Sequence, residues 1–156
     1  MRRSDKEITD FGEKLSIFGQ CEILRLGMSD EGFPYIVPVN FGLEEDDGQI
    51  ILYFHSATEG RKTDILKKAP HVCFETDCGF ELKKADTACK WSAKYKSVIG
   101  TGNVEQITAA EEKIRAFEVI MKKYGFPGKP EFDSSALERT NIYRLSVEEF
   151  SVKQSI

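Results

Sequence analysis

From Tyr53 to Leu66 the chain reads YFHSATEGRKTDIL, and this stretch gathers residue types that can do chemistry. His55 can take up or release a proton near neutral pH. Ser56 brings a hydroxyl, the backbone around Gly60 brings unobstructed N–H groups, and Arg61 with Lys62 adds a guanidinium fork and an ammonium. Charge-assisted hydrogen bonds are the strong ones, and Arg meets phosphate through two parallel bonds. The set suits a phosphate monoester. The sequence places its functional centre here.

Those groups need elements to hold them. A strand-like run, Ile50 to Phe54, leads into the segment, and Asp64 to Lys68 reads as a short helix stopped before Pro70. Upstream, Ser4 with Glu7 is a capping-box pattern, followed by Ile8, Phe11, Leu15 and Phe18 at helical spacing up to Gly19. Residues 21–28 read as a strand and 29–32 as its turn. Residues 33–42 are β-rich but carry Pro34 and Pro38, which fits an edge, a bulge or a strand facing something other than a strand. An acidic turn at 44–48 precedes the next strand, 49–55.

Downstream, residues 71–76 read as a strand and 79–91 as an irregular or mobile excursion. Residues 94–107 read as a long strand with two glycines able to let a barrel wall bend. Thr108 with Glu111 is a second capping box, and Ile114, Phe117, Met121 and Tyr124 mark a helical face. A Pro/Gly loop at 125–133 and a last strand, NIYRLSVEEFSV, complete the order. About six strands with two substantial helices, strands following strands, favour a mainly β fold, an antiparallel barrel-like sheet with flanking helices. No GxGxxG or Walker-type loop is present.

With 156 residues, 40% hydrophobic and 31% charged, the chain is expected to be one domain, 1–156, with a real core. A net charge of −4 argues against a broad nucleic-acid footprint, so the local Arg61–Lys62 pair favours a small anion over a polymer. No apolar run follows the basic start and none approaches a membrane span, which makes the cytoplasm the expectation. Cys21, Cys73, Cys78 and Cys89 are expected to be reduced, buried structural thiols, and no metal site is expected, since no CxxC pair exists. His71, after Pro70, reads as structural.

GFPYIVPVNFG, YFHSATEGRK and YKSVIGTG, in that order, resemble the flavin-binding split-barrel proteins related to pyridoxamine 5′-phosphate oxidase. Within that superfamily the chain is most similar to the Nim-type, nitroimidazole-resistance branch, over roughly residues 2–152. The resemblance implies an FMN-binding homodimer on a split β-barrel, with two sites at the subunit interface. It implies that Arg61 and Lys62 hold the FMN phosphate, helped by Ser56 and the backbone around Gly60. Val37, Pro38, Val39 and Asn40 are implied to line the isoalloxazine with main chain, and Tyr95, Ser97 and Val98 to approach from a neighbouring strand. His55 is implied to lie at the flavin and take part in the chemistry.

Each assignment has a plainer counterpart. Arg61 and Lys62 could be solvated charges at a helix start, and Ser97 and Val98 could simply pack in a strand. His55 either donates a proton as the substrate takes electrons or only hydrogen-bonds the cofactor. Trp91 and Tyr95 either stack on a ring system or pack on the barrel, and 79–91 is either a lid or a surface loop. No second phosphate-clamping cluster is visible toward EEFSVKQSI, so oxidation of pyridoxamine phosphate is not expected. The implied function is an FMN-dependent oxidoreductase reducing a small electron-poor compound, nitroimidazole-like nitro compounds included. The alternative is a flavin- or haem-binding protein without turnover, a flavin store or redox sensor.

Overall fold

The computed structural model describes residues 3–156. Apart from two 3₁₀ turns, Ser4–Lys6 and Ala88–Lys90, the elements are β1 (Glu7–Ile8), α1 (Phe11–Gln20), β2 (Leu24–Asp30), β3 (Phe33–Val39), β4 (Phe41–Asp46) and β5 (Gln49–Ala57). There follow α2 (Arg61–Lys68), β6 (His71–Lys83), β7 (Ser92–Ile107), α3 (Ala110–Lys123), α4 (Ser134–Glu138) and β8 (Thr140–Ser155). All eight strands belong to one antiparallel sheet, ordered β3-β2-β6-β7-β8-β5-β4, with β1 pairing β8 off that path. The two ends, β3 and β4, do not pair, so the sheet is an opened, split barrel.

The expected mainly β fold with flanking helices is what forms, with more strands than the sequence suggested. The first capping box was misplaced. Glu7 and Ile8 are drawn into β1, opposite Lys153 and Val152, and α1 begins after Asp10, whose carboxylate accepts from the Glu13 N–H at 2.8 Å. Thr108 does not cap α3 either. Helical backbone begins at Ala110, one residue too late for it, and the N-cap Ala109 has no side-chain acceptor. The first five residues of the expected 79–91 excursion are strand: β6 and β7 run on as a hairpin through the Glu81–Lys94, Leu82–Ala93 and Lys83–Ser92 pairs. β7 is bent by a register shift between Thr101 and Gly102.

The core explains how the candidate segment is held. Phe18, Phe41, Phe54, Phe74, Leu52, Val98 and Leu145 are fully buried inside the sheet, where Phe18 of α1 lies 5.8 Å from both Phe41 and Phe74. A smaller cluster of Tyr53, Ile107, Ala116, Ile120 and Ile142 lies between the other face and α3. Thus α3 buries Ala116 and Ile120 most deeply; of the stripe Ile114, Phe117, Met121 and Tyr124 read from the sequence, Phe117 packs against this cluster. β5 is covered on both faces at Leu52–Phe54, which is why its sequence is continuously apolar and not alternating. Gly42 allows the close seating of α3: a Cβ there would stand 2.7 Å from the backbone N of Ile120.

Candidate functional site

β5 emerges from the core at His55. Side chains alternate across a strand, so His55 continues the Tyr53 face toward α3, while Ser56 continues the Phe54 face toward the barrel interior. The two residues that look adjacent in sequence therefore face opposite ways. Ser56 is half-buried; its Oγ donates to the Ala57 carbonyl at 2.7 Å and lies 3.4 Å from Thr63 Oγ1.

The loop from Thr58 to Gly60 then turns into α2. Gly60 is the N-cap, at φ 133°, a conformation that favours glycine, and it supplies no capping side chain. Among the described residues the first N–H groups of α2 consequently have neither intrahelical nor side-chain acceptors. Arg61 is exposed at this point. Its Nε donates to Asp30 Oδ2 at 2.8 Å, and its guanidinium carbon sits 4.4 Å from the centre of the Tyr35 ring. Lys62 is half-buried, with Nζ donating to the His55 carbonyl at 3.4 Å and lying 5.7 Å from the Phe54 ring centre. Desolvation lowers the Lys62 pKa.

Beneath this surface runs a partly buried polar chain. Gln106 Nε2 donates to Asn141 Oδ1 at 2.9 Å, Asn141 Nδ2 donates to Tyr143 Oη and to the Thr58 carbonyl, and Tyr143 Oη donates to Thr63 Oγ1 at 3.3 Å. The chain ties the loop and the first turn of α2 to β8. Asp30, Tyr35, Thr63, Asn141 and Tyr143 were all missed by reading the sequence. Their long-range partners lie 26 to 83 residues away, and no local pattern announces them.

The His55 ring stands 5.7 Å from that of Phe117 on α3, at 45°. Among the described residues neither ring nitrogen has a hydrogen-bond partner. Desolvation first, and the Lys62 ammonium second, hold the imidazole below its ordinary pKa. That lowering favours the neutral imidazole, which offers one nitrogen to donate and the other to accept.

The remaining sequence candidates lie elsewhere on the sheet. Among the described residues β3 pairs only with β2, so one edge of its backbone has no partner strand there, consistent with Pro34 and Pro38. Val39 is buried, Val37 half-buried, and Pro38 and Asn40 exposed. Val98 is fully buried in the core, so its side chain faces inward. Ser97 lies opposite Lys153, and Lys153 Nζ donates to Tyr95 Oη at 2.8 Å, which lowers the Tyr95 pKa. Lys6 extends this basic spot by donating to Ser155 Oγ at 2.8 Å. Asn141, opposite Ser56, and Lys153, opposite Ser97, are 12 residues apart on β8. That is roughly 40 Å of strand. Among the described residues no hydrogen bond or ring contact links Tyr95 or Ser97 to Arg61 or Lys62.

The Arg61–Lys62 surface is also open. A hollow of about 350 Å³ lined by Gly19, Leu43, Glu44, Val119, Lys122 and Lys123 contains none of these residues. The cysteines are free, as expected, but only Cys21 is buried, with its thiol pushed up to about 12 by that burial. Cys73 and Cys89 are exposed because they fall on the outer face of β6 and on the loop beyond it. Among the described residues no group of three His, Cys, Asp or Glu could hold a metal.

An antiparallel split barrel with helices on its faces, and an uncapped helix start carrying Arg and Lys beside an edge strand, defines a known class of small β proteins. The profile described as pyridoxamine 5′-phosphate oxidase matches residues 12–154. A structure from Bacteroides thetaiotaomicron VPI-5482, provisionally described as a 5-nitroimidazole antibiotic resistance protein, is 32% identical, covering 95% of this chain and 86% of that one at a TM-score of 0.82. The flavocytochrome Anf3 from Azotobacter vinelandii (20% identity, 100% and 72% coverage, TM-score 0.81) shares the fold. So does a FAD and heme binding protein from Mycobacterium smegmatis (18%, 96% and 73%, 0.84). No curated protein matches significantly. The chain belongs to the pyridoxamine 5′-phosphate oxidase-related split-barrel family, in its Nim-type branch.

Proposed function

We propose that the protein is an FMN-dependent oxidoreductase that reduces a small, flat, electron-poor compound, with nitroimidazole-like nitro compounds the leading class. The observation that carries this reading is the start of α2. Arg61, Lys62 and the uncapped N–H groups after Gly60 converge on one exposed spot of an acidic protein. Among the described residues neither Nη of Arg61 has a hydrogen-bond partner, so its fork is available to a phosphate. The donor set therefore fits a flavin mononucleotide. The 32% identical relative, with its nitroimidazole-resistance description, supports the substrate class.

A bound flavin supplies the two-electron chemistry, and the protein supplies binding, orientation and electrostatics. Arg61 and Lys62 neutralise the phosphate, with Gly60 keeping the approach to the helix start clear. The main chain of Val37–Asn40, on an edge strand with one unpaired side, is available to ring nitrogens and carbonyls. His55, neutral beside Lys62, can accept at one nitrogen and donate at the other, so it can orient a ligand or relay a proton without adding positive charge.

The site is completed by a second copy of the chain. Tyr95 and Ser97 make no contact with Arg61 or Lys62 among the described residues, and Phe33, Ile36, Phe80 and Ile99 are left more than half exposed. The exposed apolar residues support a homodimer whose partner provides the second wall. Among the described residues no helix is long and apolar enough to cross a membrane, and a cytoplasmic location is proposed with the rest.

An absorbance spectrum of the purified protein, followed by NAD(P)H and then a nitro compound, tests the function. Flavin bands that bleach with NAD(P)H and return on adding the nitro compound are expected. A Soret band instead of flavin bands, or flavin that never reoxidises with the nitro compound, would overturn the reading.

A further inference from the structure

Arg61 does not hang freely in solvent. Its guanidinium lies on the face of Tyr35, and its Nε is taken by Asp30. Tyr35 packs against the main core cluster, so it is a firm platform. Asp30 sits at the end of β2, next to a tight turn in which Glu31 (φ 51°) and Gly32 (φ 91°) reverse the chain. A second ion pair, Lys68 Nζ to Glu31 at 3.8 Å, ties the same turn to the last turn of α2. The β2–β3 turn is thus docked along α2 at both of its ends.

We infer that Asp30 and Tyr35 are positioning residues that aim the Nη edge of Arg61 at the ligand phosphate. The inference rests on the phosphate reading of Arg61 above. A guanidinium has two edges able to bind oxyanions; engaging Nε leaves the Nη1–Nη2 edge outward, and stacking on Tyr35 fixes its plane. A fork held in its bound geometry loses less side-chain freedom on binding.

The inference makes a counterintuitive sign prediction. Asp30 is a negative charge beside a site for a dianion, so Coulomb repulsion alone says that removing it tightens phosphate binding. Positioning says that removal loosens it.

The experiment compares dissociation constants for FMN and riboflavin, which differ by the phosphate, in the wild type and in Arg61→Ala, Asp30→Asn, Tyr35→Leu and Tyr35→Phe. The expected result is a wild-type preference for FMN that collapses in Arg61→Ala. It falls several-fold in Asp30→Asn and Tyr35→Leu and survives in Tyr35→Phe, which keeps the aromatic face. Riboflavin affinity stays unchanged throughout. If Arg61→Ala collapses the preference but Asp30→Asn and Tyr35→Leu leave it unchanged or raise it, the positioning role is wrong and the phosphate site stands. Riboflavin affinity falling in parallel with that for FMN would mean general damage and also overturn positioning. No flavin binding by the wild type, or an FMN preference that survives Arg61→Ala, sinks both.

Discussion

Lys62 and His55 are coupled across the loop that joins β5 to α2: the ammonium of the first donates to the carbonyl of the second at 3.4 Å, and its charge bears on the imidazole. Each group has its pKa lowered, mainly by desolvation. Because Lys62 titrates below its ordinary value, binding a phosphate there requires a proton once the ammonium begins to deprotonate. FMN affinity is therefore expected to fall as pH rises toward about 10, the ordinary lysine range, starting before that value is reached. Titrations of FMN from neutral to alkaline pH check this. Lys62→Ala should bind more weakly at pH 7 and show a flatter decline.

The imidazole side of the pair makes a prediction about stability. His55 has a folded-state pKa below the unfolded value of about 6.5, so the unfolded chain takes up the proton first as pH falls. Above both values the group makes no difference to stability. Below about 6.5 the native state loses stability progressively, and the loss is complete under the folded-state pKa. Denaturant midpoints of wild type and His55→Gln from pH 8 to pH 5 should diverge in that window, with the variant declining less. Parallel curves would mean that the imidazole is not held neutral.

Gly42 carries the geometry that places Phe117 beside His55. A methyl group there meets backbone at Ile120 and Val119, which cannot rotate away. Gly42→Ala should cost about 1–3 kcal/mol, the usual range for overpacking. A calorimetric melt measures that cost, and the aromatic ring shifts of His55 report whether Phe117 has moved with α3.

Tyr143→Phe keeps the ring, stacked at 5.1 Å on Phe54, and removes only the hydroxyl. Asn141 and Thr63, both buried, lose a partner they share. Leaving buried polar groups short of partners costs about 1–3 kcal/mol. The loop over Thr58–Gly60 should exchange its amide hydrogens faster than in the wild type, and FMN should bind less tightly although the hydroxyl is not among the proposed phosphate donors.

How far the sequence disclosed this arrangement follows from where its information is local. Gly60, Arg61 and Lys62 could be singled out because a glycine and two adjacent cations lie within three residues, although the helix was read from Asp64 and begins at Arg61. Pro34 and Pro38 left β3 as an edge, a bulge or a strand facing something other than a strand, because a proline cannot donate to a ladder, and the sheet order places it at the edge. The opposed directions of His55 and Ser56 were also available, from the period of two along a strand, had β5 been extended to Ala57. Asp30, Tyr35 and Tyr143 were out of reach because the sheet order, not proximity in the chain, delivers them to α2. The false caps at Ser4 and Thr108 failed for a different reason: a spacing of three residues is cheap to meet by chance, and at Glu7 the pairing with β8 won.

The last prediction concerns the separation of Ser97 from Arg61. If the site spans two copies related by a twofold axis, Arg61 of one copy works with Tyr95 and Ser97 of the other. Arg61→Ala alone damages both sites of a dimer, and so does Tyr95→Ala combined with Ser97→Ala. In a mixed dimer of the two variants, one site carries both defects and the other carries neither. Unfolding and refolding the variants together at equal amounts, with random pairing, should restore wild-type FMN binding to about a quarter of all sites. Each variant refolded alone should restore none. Gel filtration of the mixture with absorbance at the flavin band makes the measurement, and a mixture no yellower than its components would place the whole site within one chain.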